Sequence, residues 1–296
     1  MSTSKQAFSI IGCGRLGINL AVFLAQKGFC PGVFCSKSLS SAEQAVAAAG
    51  SGRASQDPVE AARTASLVFI TTPDTVIEPV CREVADAQGF GPSSIVFHLS
   101  GALPSTILNP AKASGAGIGS IHPLQAFAPY QEGVSSPFQG INISVEGEDR
   151  AVALGLEIVS SLGARSFTIP TQSKVLYHAA AVAASNYLVT LENFALTLLG
   201  ETGLAEDRAY EILEPLIQGT LSNIKARGSV QALTGPVARG DEAVIAGHLA
   251  RIDEKMPRFS RLYRLLGRHT LDIADERGEM SEETRDRLAR LFDWRE

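Results

Sequence analysis

The chain is short of cysteine and of positive charge, and several signals that would redirect its reading are missing. Four cysteines occur in 296 residues: Cys13, Cys30, Cys35 and Cys81. They fall on or near early core elements without paired metal spacing, which argues for reduced core thiols rather than disulfides or ligands. No Cys/His cluster has zinc-ligand spacing, so no metal is expected. The net charge of −5 disfavours a nucleic-acid or anionic-membrane partner. No basic segment precedes a cleavable apolar one, and no apolar run looks long enough to span a bilayer. A cytoplasmic protein that acts on a small molecule is the expectation. There is no internal repeat, low-complexity tract or long Gly/Ser linker. At 45 % hydrophobic and 19 % charged residues, 296 positions suit two closely packed domains with a cleft between them.

What is present begins with Phe8-Ser-Ile-Ile-Gly12-Cys-Gly14-Arg-Leu-Gly17. It reads as a buried strand, a glycine turn and an amphipathic helix, with Leu16, Leu20, Phe23 and Leu24 at helical spacing and Gly28 as terminator. The glycines match G-x-G-x-x-G. Gly12 permits the turn, Gly14 lets a pyrophosphate approach, and Gly17 lets the helix lie close to the strand. Gly12, Cys13, Gly14, Arg15, Leu16 and Gly17 are thus candidate dinucleotide-binding residues, with N–H groups at the helix start facing the phosphates. A ligand-free strand–helix turn is the competing reading.

Further strands are expected at 32–36, 66–72, 93–98, 118–122, 141–145 and 166–169, alternating with helices. Ser41 and Gln44 read as a capping box, and Asp57-Pro58 as a helix start. The fold class is α/β, with a doubly wound, mostly parallel sheet. Thr72, Ser100 and His122 fall at or just past strand ends, where such sheets bind ligands. After Pro170 no strand is convincing. A long Ala-rich helix is expected over 173–199, then helices near 204–217, 218–226, 241–252, 256–274 and 281–292. The expected domains are 1–170 and 171–296.

At the end of the second strand, NAD enzymes carry a carboxylate for the ribose 2′-hydroxyl. Here that position holds Ser36-Lys37-Ser38. No acid repels a 2′-phosphate, Lys37 neutralises one, and the hydroxyls donate to it. NADP(H) is therefore favoured over NAD(H). The glycines alone leave FAD open, and a solvated loop with helix-capping serines is the plain alternative. Ser100-Gly101 reads as a turn facing nicotinamide or substrate, and His98 as a backbone-bonding residue.

Lys174 and His178 are spaced i, i+4 on an otherwise apolar helix, and Ser185 and Asn186 continue that face. A buried lysine or histidine needs partners. Lys174 suits protonation or charge stabilisation as hydride reaches a carbonyl or imine, and His122 is the competing acid/base. A solvated Lys174 and a core His178 are the alternative. Arg239, in Thr234-Gly-Pro-Val-Ala-Arg-Gly-Asp241, could clamp an anionic substrate group or pair with a local acid, with Asp241 as helix N-cap.

Four segments carry a family resemblance: His98-Leu-Ser-Gly-Ala102, Ser120-Ile-His-Pro-Leu-Gln-Ala-Phe127, the helix from Lys174 to Asn186, and Leu233 to Asp241. The chain resembles two-domain Rossmann-like bacterial proteins of unassigned substrate. Their superfamily includes pyrroline-5-carboxylate reductase, ketopantoate reductase, prephenate dehydrogenase and the β-hydroxyacid dehydrogenases. The resemblance implies a Rossmann domain, an all-α domain of the 6-phosphogluconate-dehydrogenase C-terminal type, and a homodimer formed through the helices. It places Thr71-Thr72-Pro73 under the nicotinamide ribose and gives Asn186 a substrate-orienting role; Gln125, Ser185 and Arg239 are further substrate-binding candidates. Lys174 matches the lysine of β-hydroxyacid dehydrogenases, but His178 stands where they carry asparagine. Leu124 stands where prephenate dehydrogenases carry the methionine of His-Pro-Met. The implied activity is NADP-dependent oxidoreduction of a small metabolite between the domains; a non-catalytic redox sensor is the alternative.

Overall fold

The structure is a computed structural model and describes residues 6–293. Two compact units divide it, 1–186 and 187–296. The first unit opens with β1 (Ala7–Ile11), α1 (Arg15–Gln26), β2 (Cys30–Cys35), α2 (Leu39–Ala49), β3 (Arg53–Ser55), α3 (Pro58–Arg63), β4 (Leu67–Ile70), α4 (Asp74–Asp86) and β5 (Ile95–His98). It continues with α5 (Asn109–Ala113), β6 (Gly117–Pro123), β7 (Asn142–Gly147), α6 (Asp149–Ser161), β8 (Arg165–Thr168) and α7 (Lys174–Val182).

The strands form one sheet in the order β3-β2-β1-β4-β5-β6-β7-β8. Pairing is parallel from β3 through β6; β7 runs antiparallel to β6, and β8 runs parallel to β7. Alternation along the strands divides the core in two. Ile10, Phe69, Phe97 and Ile121 face one layer, and Ile11, Val68, Ile70, Val96 and Ile118 face the other. Burial on both faces explains why these strands read as continuous apolar runs. Strand order reverses beside β1, so the crevice beyond the carboxyl ends of β1 and β4 is a ligand position.

The sequence missed β3, the 3₁₀ turn at Ser105–Leu108 and α5, all of which are short. The expected capping box is corrected: α2 starts at Leu39 behind Ser38, so Ser41 and Gln44 lie inside it. Asp57 does cap α3, accepting from the Val59 N–H.

The expected 173–199 helix is interrupted by a π-helical turn at Ala183–Tyr187. In the second unit follow α8 (Leu188–Gly200), α9 (Glu206–Ala232), α10 (Pro236–Arg239), α11 (Glu242–Lys255), α12 (Pro257–Asp275) and α13 (Glu282–Phe292). α9 passes through Pro215 and breaks at Gly228, not between residues 217 and 218 as expected. Val237, Ile245, Leu249, Leu271, Leu288 and Phe292 form this unit's core. Phe194 of α8 packs on Phe259 of α12 with ring centroids 4.8 Å apart.

One sequence expectation on length is corrected. Thr171–Gly200 is long and apolar enough, by length and composition, to cross a membrane. Helical continuity through the π turn supplies the length. Lys174 near its start is paired inside the sheet unit with Glu146, a placement at odds with hydrocarbon surroundings.

Candidate active site

The glycine turn builds a cradle between β1 and α1. The Gly12 N–H donates to the Cys35 carbonyl, and the Thr71 N–H donates to the Ile11 carbonyl, both at 2.8 Å. Gly12 has φ 113°, and a Cβ there would stand 2.7 Å from the Thr72 nitrogen. A Cβ on Gly17 would stand 2.2 Å from the Gly12 carbonyl oxygen. Gly14 has nothing within 4 Å of its Cβ position, so one side of the turn is open. Gly14 is also the N-cap of α1 and makes no side-chain cap bond. The first N–H groups of that helix lack intrahelical acceptors and favour an anion.

The flanking residues divide by exposure. Arg15 is exposed, and Leu16 packs against the core. Cys13 is buried, and its thiol donates to the Cys35 carbonyl at 3.4 Å. Burial, then the neighbouring Cys35, pushes that thiol up to about 12, so it stays a neutral packing group. Lys37 and Ser38 are exposed, while Ser36 is half-buried. Gln56 donates to the Lys37 carbonyl at 2.9 Å, and Ser38 and Ser40 share a 2.7 Å hydroxyl bond. Thr71 donates from its hydroxyl to the Gly12 carbonyl, bracing the turn from β4. The Thr72 hydroxyl is buried without a partner, and Pro73 is exposed.

A second constellation lies at the carboxyl ends of β5 and β6. Strand register sets His98 opposite Ser120 and Ser120 opposite Glu146, a polar row across three strands. Glu146 is buried and accepts from the Ser105 N–H and hydroxyl, each at 2.7 Å, and from the Thr171 hydroxyl at 2.8 Å. Lys174 is 0 % exposed. Its Nζ donates to Ser120 Oγ at 2.6 Å and lies 3.9 Å from Glu146 Oε1. Burial lowers the lysine to about 8 against the raising influence of Glu146 and Asp74. The solvated-lysine alternative is thereby corrected: the side chain enters the sheet row because Glu146 and Ser120 supply partners there.

Three imidazoles surround Ser100-Gly101. The Ser100 N–H donates to His98 Nδ1 at 3.2 Å. Ser100 Oγ donates to Asp74 at 2.9 Å and accepts from the Ala102 and Leu103 N–H groups, each at 3.1 Å. A Cβ on Gly101 would stand 2.6 Å from both His122 Nε2 and His178 Nδ1, so only glycine fits beneath the two rings. His122 Nδ1 and the Tyr177 hydroxyl are 2.8 Å apart. Burial, then Lys174 and His178, lowers His122 to about 4. Burial and Lys174 take the fully buried His98 down to about 3. Both rings are neutral at pH 7. His178 Nδ1 is buried and has no hydrogen-bond partner.

Lys174, His178, His122, Ser100 and Gly101 are thus brought together in the sheet unit. Gln125 is exposed beyond β6, and Ser185 and Asn186 are exposed on the π turn. Arg239 lies in the helical unit, where its guanidinium holds Asp241 through contacts of 2.8 and 2.9 Å. Asp241 occupies the N-cap position of α11 but makes no cap bond with its side chain. Sequence reasoning missed Glu146, Ser120, Asp74 and Tyr177. A carboxylate ending the buried run Ile143-Ser-Val-Glu146 was the available signal.

The glycine cradle, reversed strand order and helical second unit define a two-domain Rossmann-like protein. Residues 1–123 match a Rossmann-like domain, and residues 141–270 match a domain of unknown function, DUF2520. A Bacteroides fragilis protein with the provisional name NADP oxidoreductase is similar at 26 % identity and TM-score 0.72, covering 91 % of this chain and 99 % of its own. The Thermotoga maritima protein TM1727 is similar at 26 % identity and TM-score 0.72, covering 92 % and 100 %. A Coxiella burnetii pyrroline-5-carboxylate reductase shares the fold at 15 % identity and TM-score 0.57, covering 92 % and 98 %. No curated protein matches the chain.

Proposed function

We propose that the protein is an NADP(H)-dependent oxidoreductase acting on a carbonyl or imine of a small metabolite in the cytoplasm. The observation that carries this reading is the cradle: two glycines that admit no Cβ beside a third whose side is open. A pyrophosphate fits against the Gly14, Arg15 and Leu16 backbone. Ser36, Lys37 and Ser38 suit a 2′-phosphate, since β2 ends without a carboxylate. Thr72 and Pro73 precede Asp74, which bonds Ser100, and Gly101 lies beneath His122 and His178. The nicotinamide, when bound, supplies or accepts the hydride. The name of the Bacteroides fragilis relative supports the same reading.

In this assignment His122 and His178 meet the substrate. Lys174 acts through them, because its buried ammonium disfavours a second positive charge on His122. An NADPH absorbance screen over aldehydes, oxo acids and cyclic imines tests the reaction, with fluorescence titration of NADPH and NADH testing the cofactor. Turnover lost in His122→Ala with unchanged NADPH affinity is the expected outcome. Failure to bind either nucleotide overturns the proposal.

We also infer that the helical unit pairs with a second copy of this chain. Tyr187, Val189, Leu191, Ile212, Leu216 and Leu221 are exposed apolar residues on its first two helices and the turn before them. α8 and α9 pack on each other, and exposed apolar residues grouped on adjacent helices mark an association surface. Sedimentation velocity reads the assembly, and a monomer at micromolar concentration overturns it.

A further inference from the structure

We propose that Tyr177 is a positioning residue that locks His122 in the Nε2–H tautomer, so that the site presents a neutral hydrogen-bond donor to a carbonyl oxygen. This rests on the oxidoreductase reading above and narrows its substrate to a neutral double bond, a carbonyl above all, rather than an iminium. The geometry is a single contact with a chemical direction. His122 Nδ1 and the Tyr177 hydroxyl lie 2.8 Å apart, with the rings edge to face. A phenol O–H is a stronger acid than an imidazole N–H, and an imidazole sp² nitrogen is a stronger base than a phenol oxygen. The phenol therefore donates to Nδ1, and the ring proton resides on Nε2.

The surroundings hold that arrangement. Burial raises Tyr177 against the lowering influence of Ser144, so the phenol stays protonated at pH 7. The groups facing His122 are the buried Lys174 ammonium, the neutral His98, His178 across Gly101, and Ser144, its register partner on β7. No carboxylate among the described residues contacts the ring to stabilise an imidazolium. Among the described residues Nε2 has no hydrogen-bond partner, and a Cβ on Gly101 would stand 2.6 Å from it. Register fixes the ring from behind, because His122 belongs to β6 while Tyr177 comes from α7.

The consequence separates two substrate classes. When hydride reaches a carbonyl carbon, the C=O electron pair moves to oxygen, and negative charge develops where an N–H can meet it. The Nε2 proton then passes to the alkoxide as the Tyr177 proton passes to Nδ1. The imidazole stays neutral throughout, and the tyrosinate takes a proton back from water. An iminium instead loses positive charge on reduction and gains nothing from a neutral donor.

Long-range ¹⁵N–¹H correlation of the histidine rings in the wild-type protein at pH 7 tests the tautomer directly, with His122→Gln for assignment. The expected pattern is a pyridine-type Nδ1 and a pyrrole-type Nε2 on His122, shifting toward a tautomer mixture in Tyr177→Phe. An Nδ1–H ring or an imidazolium in the wild type overturns the proposal, whatever the enzyme does. With a carbonyl substrate, Tyr177→Phe should lower kcat at least ~10-fold with unchanged NADPH affinity. Turnover of a cyclic iminium with none of any aldehyde or oxo acid also overturns it. Loss of all turnover and nucleotide binding in the wild type defeats the oxidoreductase reading instead, and the ring spectrum still decides this one.

Discussion

Both units carry surface ion pairs, and the sheet unit adds a buried one. In the sheet unit, charged groups are drawn inside: Glu146 and Lys174 are both buried, and three serine or threonine hydroxyls partner them. In the helical unit, the ion pairs lie at the surface, as in Arg251–Glu254 and Arg287–Glu283, while apolar side chains stand exposed. Exposed pairs contribute little to stability, whereas a buried charge that loses its partner is costly. The proposed chemistry rests on the buried groups of the first unit, and the proposed self-association on the exposed apolar residues of the second.

The largest effect should come from the cradle. Gly12→Ala forces a left-handed backbone and a Cβ against the Thr72 nitrogen. We expect loss of stability of more than ~2 kcal/mol and at least ~100-fold weaker NADPH binding, read by urea unfolding and fluorescence titration. Intact binding would show that the turn is a packing feature alone.

Next comes the buried pair. Lys174→Met or Glu146→Gln alone should cost about 3 kcal/mol in urea unfolding, and the double variant less than the sum. Strict additivity would mean that the 3.9 Å pair carries no coupling. By contrast, Arg251→Ala should change stability by less than ~0.5 kcal/mol.

Acid sensitivity should also belong to the sheet unit. His98 and His122 titrate near 3 and 4 in the fold and near the ordinary imidazole value once unfolded. Between those limits the unfolded chain holds more protons, so stability rises with pH from about 4 to 6.5. Lys174, lowered to about 8, adds a second rise between 8 and 10.5 by the same sign. His98→Asn should flatten the acidic limb in a pH series of urea melts; an unchanged limb assigns it elsewhere.

Cofactor choice is a smaller effect. Lys37→Asp should move the NADPH-to-NADH preference about tenfold toward NADH in paired titrations. Unchanged selectivity would remove the loop after β2 from 2′-phosphate recognition. Smallest in stability is Leu216→Glu, because Leu216 is 69 % exposed. It should leave unfolding within ~0.5 kcal/mol while reducing self-association in sedimentation velocity.

Legibility followed the range of the interactions. The glycine turn and the Asp57 cap depend on residues a few positions apart, so each showed in the residues themselves. Ser41 and Gln44 misled because a capping-box pattern also occurs inside a helix. The π turn at Ala183–Tyr187 has no composition signal among alanines. Lys174 and His178 stood out as polar residues on an apolar helix, but their partners did not.

Amino-acid order alone determined the cradle, the alternating sheet and the change of texture after Pro170, because local spacing and periodicity encode them. Tertiary structure decided what surrounds the lysine and the histidines. β7 pairs antiparallel to β6, and that register sets Glu146 opposite Ser120 and Ser144 opposite His122. Pairing register depends on which strands become neighbours across the sheet. A residue therefore acquires its electrostatic surroundings only when the fold has closed.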